Sequence, residues 1–190
     1  MSEVDDVGLL DRARRGDEDA FSQLFTRHQR AIYRYAAHMC GRDAGDDIVQ
    51  ETFLAVLRQV GQYDASRGAV LAYLLGIARH LIVKRLTSRK HGAFDEALEE
   101  QMVDAFATNR QSPLDVLTQA ESVDRVRAAI ASLSPTYREV VVLCELEELD
   151  YAAAAAIAQC PIGTVRSRLH RAKALLATKL ATTASHGRKD

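Results

Sequence analysis

The stretch Cys160-Pro161-Ile162-Gly163-Thr164-Val165-Arg166-Ser167-Arg168-Leu169-His170-Arg171-Ala172-Lys173 opens on a turn signal and continues as a basic amphipathic helix. At about 100° per residue, Val165, Leu169, Ala172 and Leu176 share one face. Gly163, Arg166, Ser167, His170 and Arg171 share the opposite face. The inner stripe suits packing on a neighbouring helix. The outer face carries guanidiniums and a hydroxyl, groups that bind phosphates and read guanine edges in a major groove. A solvated charged face is the competing reading. It is weakened by the lack of any Asp or Glu between Tyr151 and Lys189, since solvated helices usually mix signs.

Working back from that helix, Asp150 is a plausible cap for a helix over Tyr151 to Ala158, whose five alanines at 152–156 favour helix and permit close approach. Two helices joined by a short turn, the second basic outside, form a helix-turn-helix arrangement. Ser134-Pro135 opens a further helix through Val140, Val141 and Leu143. Ser112-Pro113 opens another, running to about Ala131. Between His91 and Gln111 the periodicity fails, which reads as a linker with room for a short helix near Asp95 to Val103.

The first half is also helical. Phe21, Leu24, Phe25, His28, Ile32, Tyr35 and Met39 fall at helical spacing after a turn at Gly16-Asp17. His28 lies on that apolar stripe and reads as a satisfied core or boundary histidine. After Gly41, Asp43 or Asp46 can start a helix whose buried face is Val49, Phe53, Val56 and Val60. Asp47, Gln50, Glu51, Leu54 and Arg58 form its opposing stripe, an acidic rim around an outward leucine, suited to a basic partner surface. Residues 61–68 read as a loop. The next helix spans roughly Ala69 to Arg89. Leu71, Leu74, Leu75, Ala78, Leu81 and Ile82 face inward on it, and Tyr73, Gly76, Arg79, His80, Val83, Lys84 and Thr87 face outward. An outward aromatic with a basic end suits base stacking and a single-strand backbone.

Composition narrows the class. Apolar residues are 47% of the 190, enough for one domain or two small cores. No apolar run approaches a membrane span, and the acidic start indicates no signal peptide. Three distant cysteines, Cys40, Cys144 and Cys160, suit reduced thiols in the cytoplasm and no disulfide framework. No His/Cys cluster has zinc spacing, no glycine-rich phosphate loop or nucleophile–base set is visible, and neither metal, cofactor nor catalytic residue is expected. The net charge of −1 hides segregation. Residues 1–91 carry 14 basic and 12 acidic groups, residues 92–150 carry 4 and 13, and residues 151–190 carry 7 and 1. The acidic middle could mask the basic tail.

Two motif sets then stand in order. The first is Asp47-x-x-Gln50-Glu51-x-Phe53, followed by Gly76-Ile77-Ala78-Arg79-His80. The second is Leu133-Ser134-Pro135-x-x-Arg138-Glu139-Val140, followed by Gly163-Thr164-Val165-Arg166-Ser167-Arg168-Leu169-x-Arg171-Ala172. With these, the chain resembles bacterial RNA polymerase sigma factors of the extracytoplasmic-function (ECF) group, from about Leu9 to Leu180.

The resemblance implies an all-α protein of two small helical domains: region 2 over 8–90, an acidic linker over 91–111, and region 4 over 112–181. Asp47, Gln50, Glu51, Leu54 and Arg58 would dock on the clamp helices of the largest polymerase subunit. Tyr63, Arg67, Tyr73, Arg79, His80, Val83 and Lys84 would bind and help melt the −10 element. Thr164, Arg166, Ser167, Arg168, His170, Arg171 and Lys173 would bind the −35 element, with Arg168 nearer the packed edge. Core polymerase, promoter DNA and an anti-sigma protein are the implied partners, without membrane insertion.

The family usually has Trp where Tyr73 stands and Asn where His80 stands. It usually has a Glu-Ile-Ala core where Ala153-Ala154-Ala155 stands, and Gly where Gln159 stands; a left-handed backbone there would cost a non-glycine residue about 1 kcal/mol. A helix-turn-helix regulator that never engages polymerase would share the tail and make the Asp47 stripe incidental.

Overall fold

The computed structural model describes residues 5–58, 63–88 and 117–186, and no strand occurs among them. Expectations for the linker, for Ser112-Pro113 and for Val60 lie outside the described residues. The first group of helices is α1 (Asp6–Arg14), α2 (Glu18–Cys40), α3 (Gly45–Arg58) and α4 (Val70–Ser88). The second is α5 (Leu117–Ala131), α6 (Pro135–Val141), α7 (Tyr151–Ala158) and α8 (Ile162–His186), with a π-helical turn over Val142–Leu146 following α6.

Local chemistry sets the helix ends. The Asp5 carboxylate accepts from the Gly8 N–H at 2.7 Å, and the Asp17 carboxylate from the Ala20 N–H at 2.9 Å, so both starts satisfy an orphan donor. α2 stops at Gly41, whose φ of 92° is costly for a side-chain-bearing residue. Asp43 lies in a 3₁₀ turn over Arg42–Ala44 that leads directly into α3, and Asp46 lies in the first turn of α3 itself. Its first residue must be small. A Cβ at Gly45 would lie 2.6 Å from the Tyr33 ring, so glycine lets α3 close on α2.

The α2 stripe is buried at Leu24, His28, Ile32, Tyr35 and Met39. Its two phenylalanines meet α3 through Phe53: the Phe21–Phe53 centroids are 5.8 Å apart edge-to-face, and those of Phe25 and Phe53 are 4.9 Å apart. His28 Nε2 lies 2.8 Å from the Asp6 carboxylate of α1, the satisfied boundary histidine that its position suggests.

In the second group, Pro135 occupies the first turn of α6, and Asp150 caps α7 by accepting from the Ala153 N–H at 2.7 Å. Arg138 is the fastening residue. It is fully buried, and its guanidinium donates to the carbonyls of Ile130, Ala131 and Leu133 at the end of α5. Those carbonyls lie where helical partners run out. Burial brings the Arg138 pKa down to about 10, which still leaves it charged at neutral pH.

The two groups share a continuous apolar core. α6 packs on α2, and α7 packs on α4. This corrects one expectation: Tyr73 and Arg79 do not face solvent but are half-buried at the seam with α7. The physical reason is the alanine content of α7. Ala154, Ala155 and Ala158 are buried, and small side chains let its backbone approach α4 closely.

Candidate polymerase and nucleic-acid interfaces

α8 follows a tight turn. Gln159 adopts the left-handed conformation, φ 53° and ψ 43°, where the family pattern has glycine. The Cys160 N–H closes back on the Ala155 carbonyl at 3.1 Å, and the Thr164 N–H donates to the Pro161 carbonyl at 2.8 Å. Val165, Leu169 and Ala172 are buried, with Leu176 half-buried behind them. Gly163, Arg166, Ser167, His170 and Arg171 are all exposed on the far side. Thr164 and Arg168 sit half-buried at the edges. The face assigned from periodicity is therefore the face presented.

Two contacts shape it. The Arg166 guanidinium lies 5.7 Å from the centroid of the Tyr151 ring, a cation–π distance that limits its wandering. Ser167 Oγ donates to the Thr164 carbonyl at 3.0 Å, turning its lone pairs outward. Lys173 differs from the others: its ammonium pairs with Glu145 at 2.9 Å, and that hydrogen bond raises its pKa.

On α3, Asp47, Gln50, Glu51, Leu54 and Arg58 all lie exposed on one side. Leu54 is 47% exposed, and Leu57, one turn further, is 36% exposed. The apolar anchor is thus two residues wide. Leu57 was legible in the sequence as the i+3 neighbour of Leu54. Asp47 is shared with Arg85 of α4, at 3.1 Å.

The third set surrounds the start of α4. Asp64 accepts from the Ser66 N–H at 2.9 Å and caps a short turn over Ala65–Arg67. The side chain of Arg67 lies outside the described residues. Tyr63 packs on Tyr73 with centroids 5.4 Å apart, and its hydroxyl donates to the Gly68 carbonyl at 3.0 Å. Arg14 NH2 donates to the Tyr73 hydroxyl at 3.3 Å. A cavity of about 230 Å³ opens between this loop and α7, lined by Tyr63, Ala72, Tyr73, Ala153, Ala156 and Ile157. Further along α4, Val83 is half-buried, while His80 and Lys84 are exposed.

Arg79 is engaged rather than open. Its Nε donates to Glu139 Oε1 at 2.8 Å and its NH2 to the Ala158 carbonyl at 3.3 Å. The same carboxylate oxygen accepts from the Tyr35 hydroxyl at 2.8 Å. Burial, then the Glu139 charge, pushes the Tyr35 phenol well above its ordinary value. Nearby, Arg34 grips Glu147 through two bonds of 2.6 and 2.7 Å. Arg138 NH1 reaches across to the His38 carbonyl at 3.2 Å. Burial, helped by the Arg138 and Arg127 charges, lowers the His38 pKa from 6.5 to about 4. Sequence reasoning missed this seam. Its partners are between 60 and 113 residues apart, and no periodicity links them.

Among the described residues no helix is long and apolar enough to cross a membrane. The Sigma-70 region 2 model matches residues 24–92, and the Sigma-70 region 4 model matches residues 124–176. The probable RNA polymerase sigma-C factor of Mycobacterium bovis is 32% identical over 169 residues, covering 87% of this chain and 86% of that protein. The ECF RNA polymerase sigma factor SigW of Bacillus subtilis is 26% identical over 177 residues, 90% of this chain and 94% of that protein. In fold, the chain is similar to CnrH solved in complex with the cytosolic domain of CnrY, with TM-score 0.66, 24% identity, and coverage of 95% and 99% of the two chains. It is also similar to the sigma factor RpoE solved with the anti-sigma factor NepR from Bartonella quintana, with TM-score 0.64, 23% identity, and coverage of 85% and 96%. Two region models in the right order, with a relative at this identity along nearly the whole chain, place the protein in the ECF group of the sigma-70 family of RNA polymerase sigma factors.

Proposed function

We propose a division of labour among these surfaces. Residues 8–90 act as region 2 and residues 112–181 as region 4, joined by the linker 91–111. The α3 face of Asp47, Gln50, Glu51, Leu54 and Arg58 docks on the clamp helices of core RNA polymerase, with Leu57 widening the apolar anchor. Tyr63 and Arg67 of the preceding loop, with Tyr73, Arg79, His80, Val83 and Lys84 of α4, take the −10 element. The α8 face of Arg166, Ser167, His170 and Arg171 reads the −35 element, flanked by Thr164, Arg168 and Lys173 on the backbone. Binding energy alone performs the task, so no catalytic residue is assigned. The protein works in the cytoplasm, where its polymerase is, under an anti-sigma protein like those bound to the structural relatives.

One observation carries this reading. The basic face of α8 is exposed while its apolar stripe is buried, the requirement for entering a major groove. The lone exposed leucine pair inside the acidic rim of α3 supports the polymerase contact. Glu51→Lys tests the assignment, because Glu51 is exposed and its replacement leaves the core untouched. Expected is loss of binding to core polymerase with −35 duplex binding retained. Unchanged polymerase binding would remove α3 from the docking surface and favour a regulator that acts on DNA alone.

A further inference from the structure

The seam between the two helical groups places two cations of region 2 on two carboxylates of region 4. Arg79 and Tyr35 share one oxygen of Glu139, and Arg34 holds both oxygens of Glu147. The Glu139 and Glu147 side chains are only 8% and 1% exposed, so their nearest cations supply most of their solvation. Such a seam gains little over an apolar one while closed. Once opened, all four charged groups are well hydrated, which offsets part of the cost of exposing the apolar surface that α6 and α7 bury against α2 and α4.

The geometry is also that of phosphate recognition. A guanidinium offers the same fork to a carboxylate and to a phosphate, and the Arg34–Glu147 pair uses it with two short bonds. Arg79 belongs to the helix assigned to the −10 strand. The hydroxyl of Tyr35 reaches the very oxygen that Arg79 holds, so the site extends from α4 onto α2, where Arg34 holds the second carboxylate, that of Glu147. α7 faces Tyr63 and Tyr73 across the cavity, so its position narrows access to that stacking surface.

We infer that Arg34, Tyr35 and Arg79 form one anion site on region 2 with exchangeable occupants. Glu139 and Glu147 fill it in the closed chain, and backbone phosphates of the unpaired −10 strand fill it when region 4 swings away. Arg34 thereby becomes a DNA-contacting residue, and region 4 competes with DNA for it. This rests on the −10 assignment of α4.

The test uses the full chain and a fluorescein-labelled single-stranded 15-mer of mixed sequence. Glu139→Gln with Glu147→Gln removes both carboxylate charges while keeping side-chain shape. Expected is at least roughly ten-fold tighter binding, because the fraction of open molecules rises. Adding Arg34→Ala to that double variant should reverse part of the gain and flatten the salt dependence by about one phosphate contact. Thermal melting and small-angle scattering accompany each variant, and the double variant should be folded and more extended. Unchanged affinity in a folded double variant overturns the competition. A gain that Arg34→Ala leaves intact overturns the extension onto α2. If the double variant unfolds, Arg34→Glu with Glu147→Arg, which restores the pair in reverse, decides instead: it should rescue closure and weaken DNA binding, and failure to weaken it overturns the site. Initiation by the wild type on core polymerase is scored separately, so failure of the sigma assignment is distinguishable from failure of this site.

Discussion

Arg138→Met should be among the most damaging single changes in the chain. Methionine keeps most of the apolar stem but donates nothing. The arginine is fully buried and serves four carbonyls: Ile130 at 3.3 Å, Leu133 at 2.9 Å, Ala131, and His38 of the other helical group at 3.2 Å. Hydrogen bonds from a charged donor contribute about 1.5–3 kcal/mol each, and buried acceptors left bare cost about 1–3 kcal/mol. Relief of the buried charge offsets part of this. The balance is a loss of about 3 kcal/mol, a large share of the roughly 5–15 kcal/mol that a domain commands. With a urea slope of about 2 kcal/mol per molar, the unfolding midpoint should fall by roughly 1.5 M. Arg138→Lys should recover less than half, since an ammonium cannot span acceptors spread around a planar fork. Urea titration followed by far-UV circular dichroism reads both. A loss under 1 kcal/mol for the methionine variant would refute the assignment of Arg138 as the fastening of α5 to α6.

Three other outcomes are expected. Gln159→Gly should stabilise the chain by roughly 0.5 kcal/mol, because release of the left-handed strain of about 1 kcal/mol is partly offset by a more flexible unfolded state; a lower melting temperature would contradict it. His38 binds its proton more weakly folded than unfolded. Its contribution is therefore intact above 6.5 and is lost as pH falls from 6.5 toward about 4. His38→Gln should flatten stability against pH in that window, which pH-resolved denaturation measures. Arg171→Ala should relax sequence preference at the −35 element by about 1–3 kcal/mol of discrimination at one base pair; uniform weakening across duplex sequences would make it a phosphate contact instead.

The helices and their inner faces were legible because each is a local property. Val165, Leu169 and Ala172 repeat at helical spacing, and Asp17 and Asp150 sit one residue before the helices they cap. The outward α3 and α8 faces were legible for the same reason, since what is not on the apolar stripe faces water. The seam was not. Whether Arg79 meets solvent or Glu139 depends on α7 packing over α4, and alanines at 152–156 record high helix propensity without naming the partner. Arg138 and Glu139 were visible as a motif, yet their roles diverge completely, one fastening α5 and the other bridging to α2 and α4. Adjacent residues on a short helix point different ways, and only the packed neighbours say where.

The central claim is that this chain brings core polymerase to promoters by reading two DNA elements with two separate helices. Reconstituted transcription with core RNA polymerase on a randomised promoter library tests it most directly. Initiation is expected only when the protein is added, from promoters enriched for one −35 and one −10 sequence, with Arg171→Ala blurring only the first. No initiation, or initiation indifferent to the −35 sequence, would contradict it.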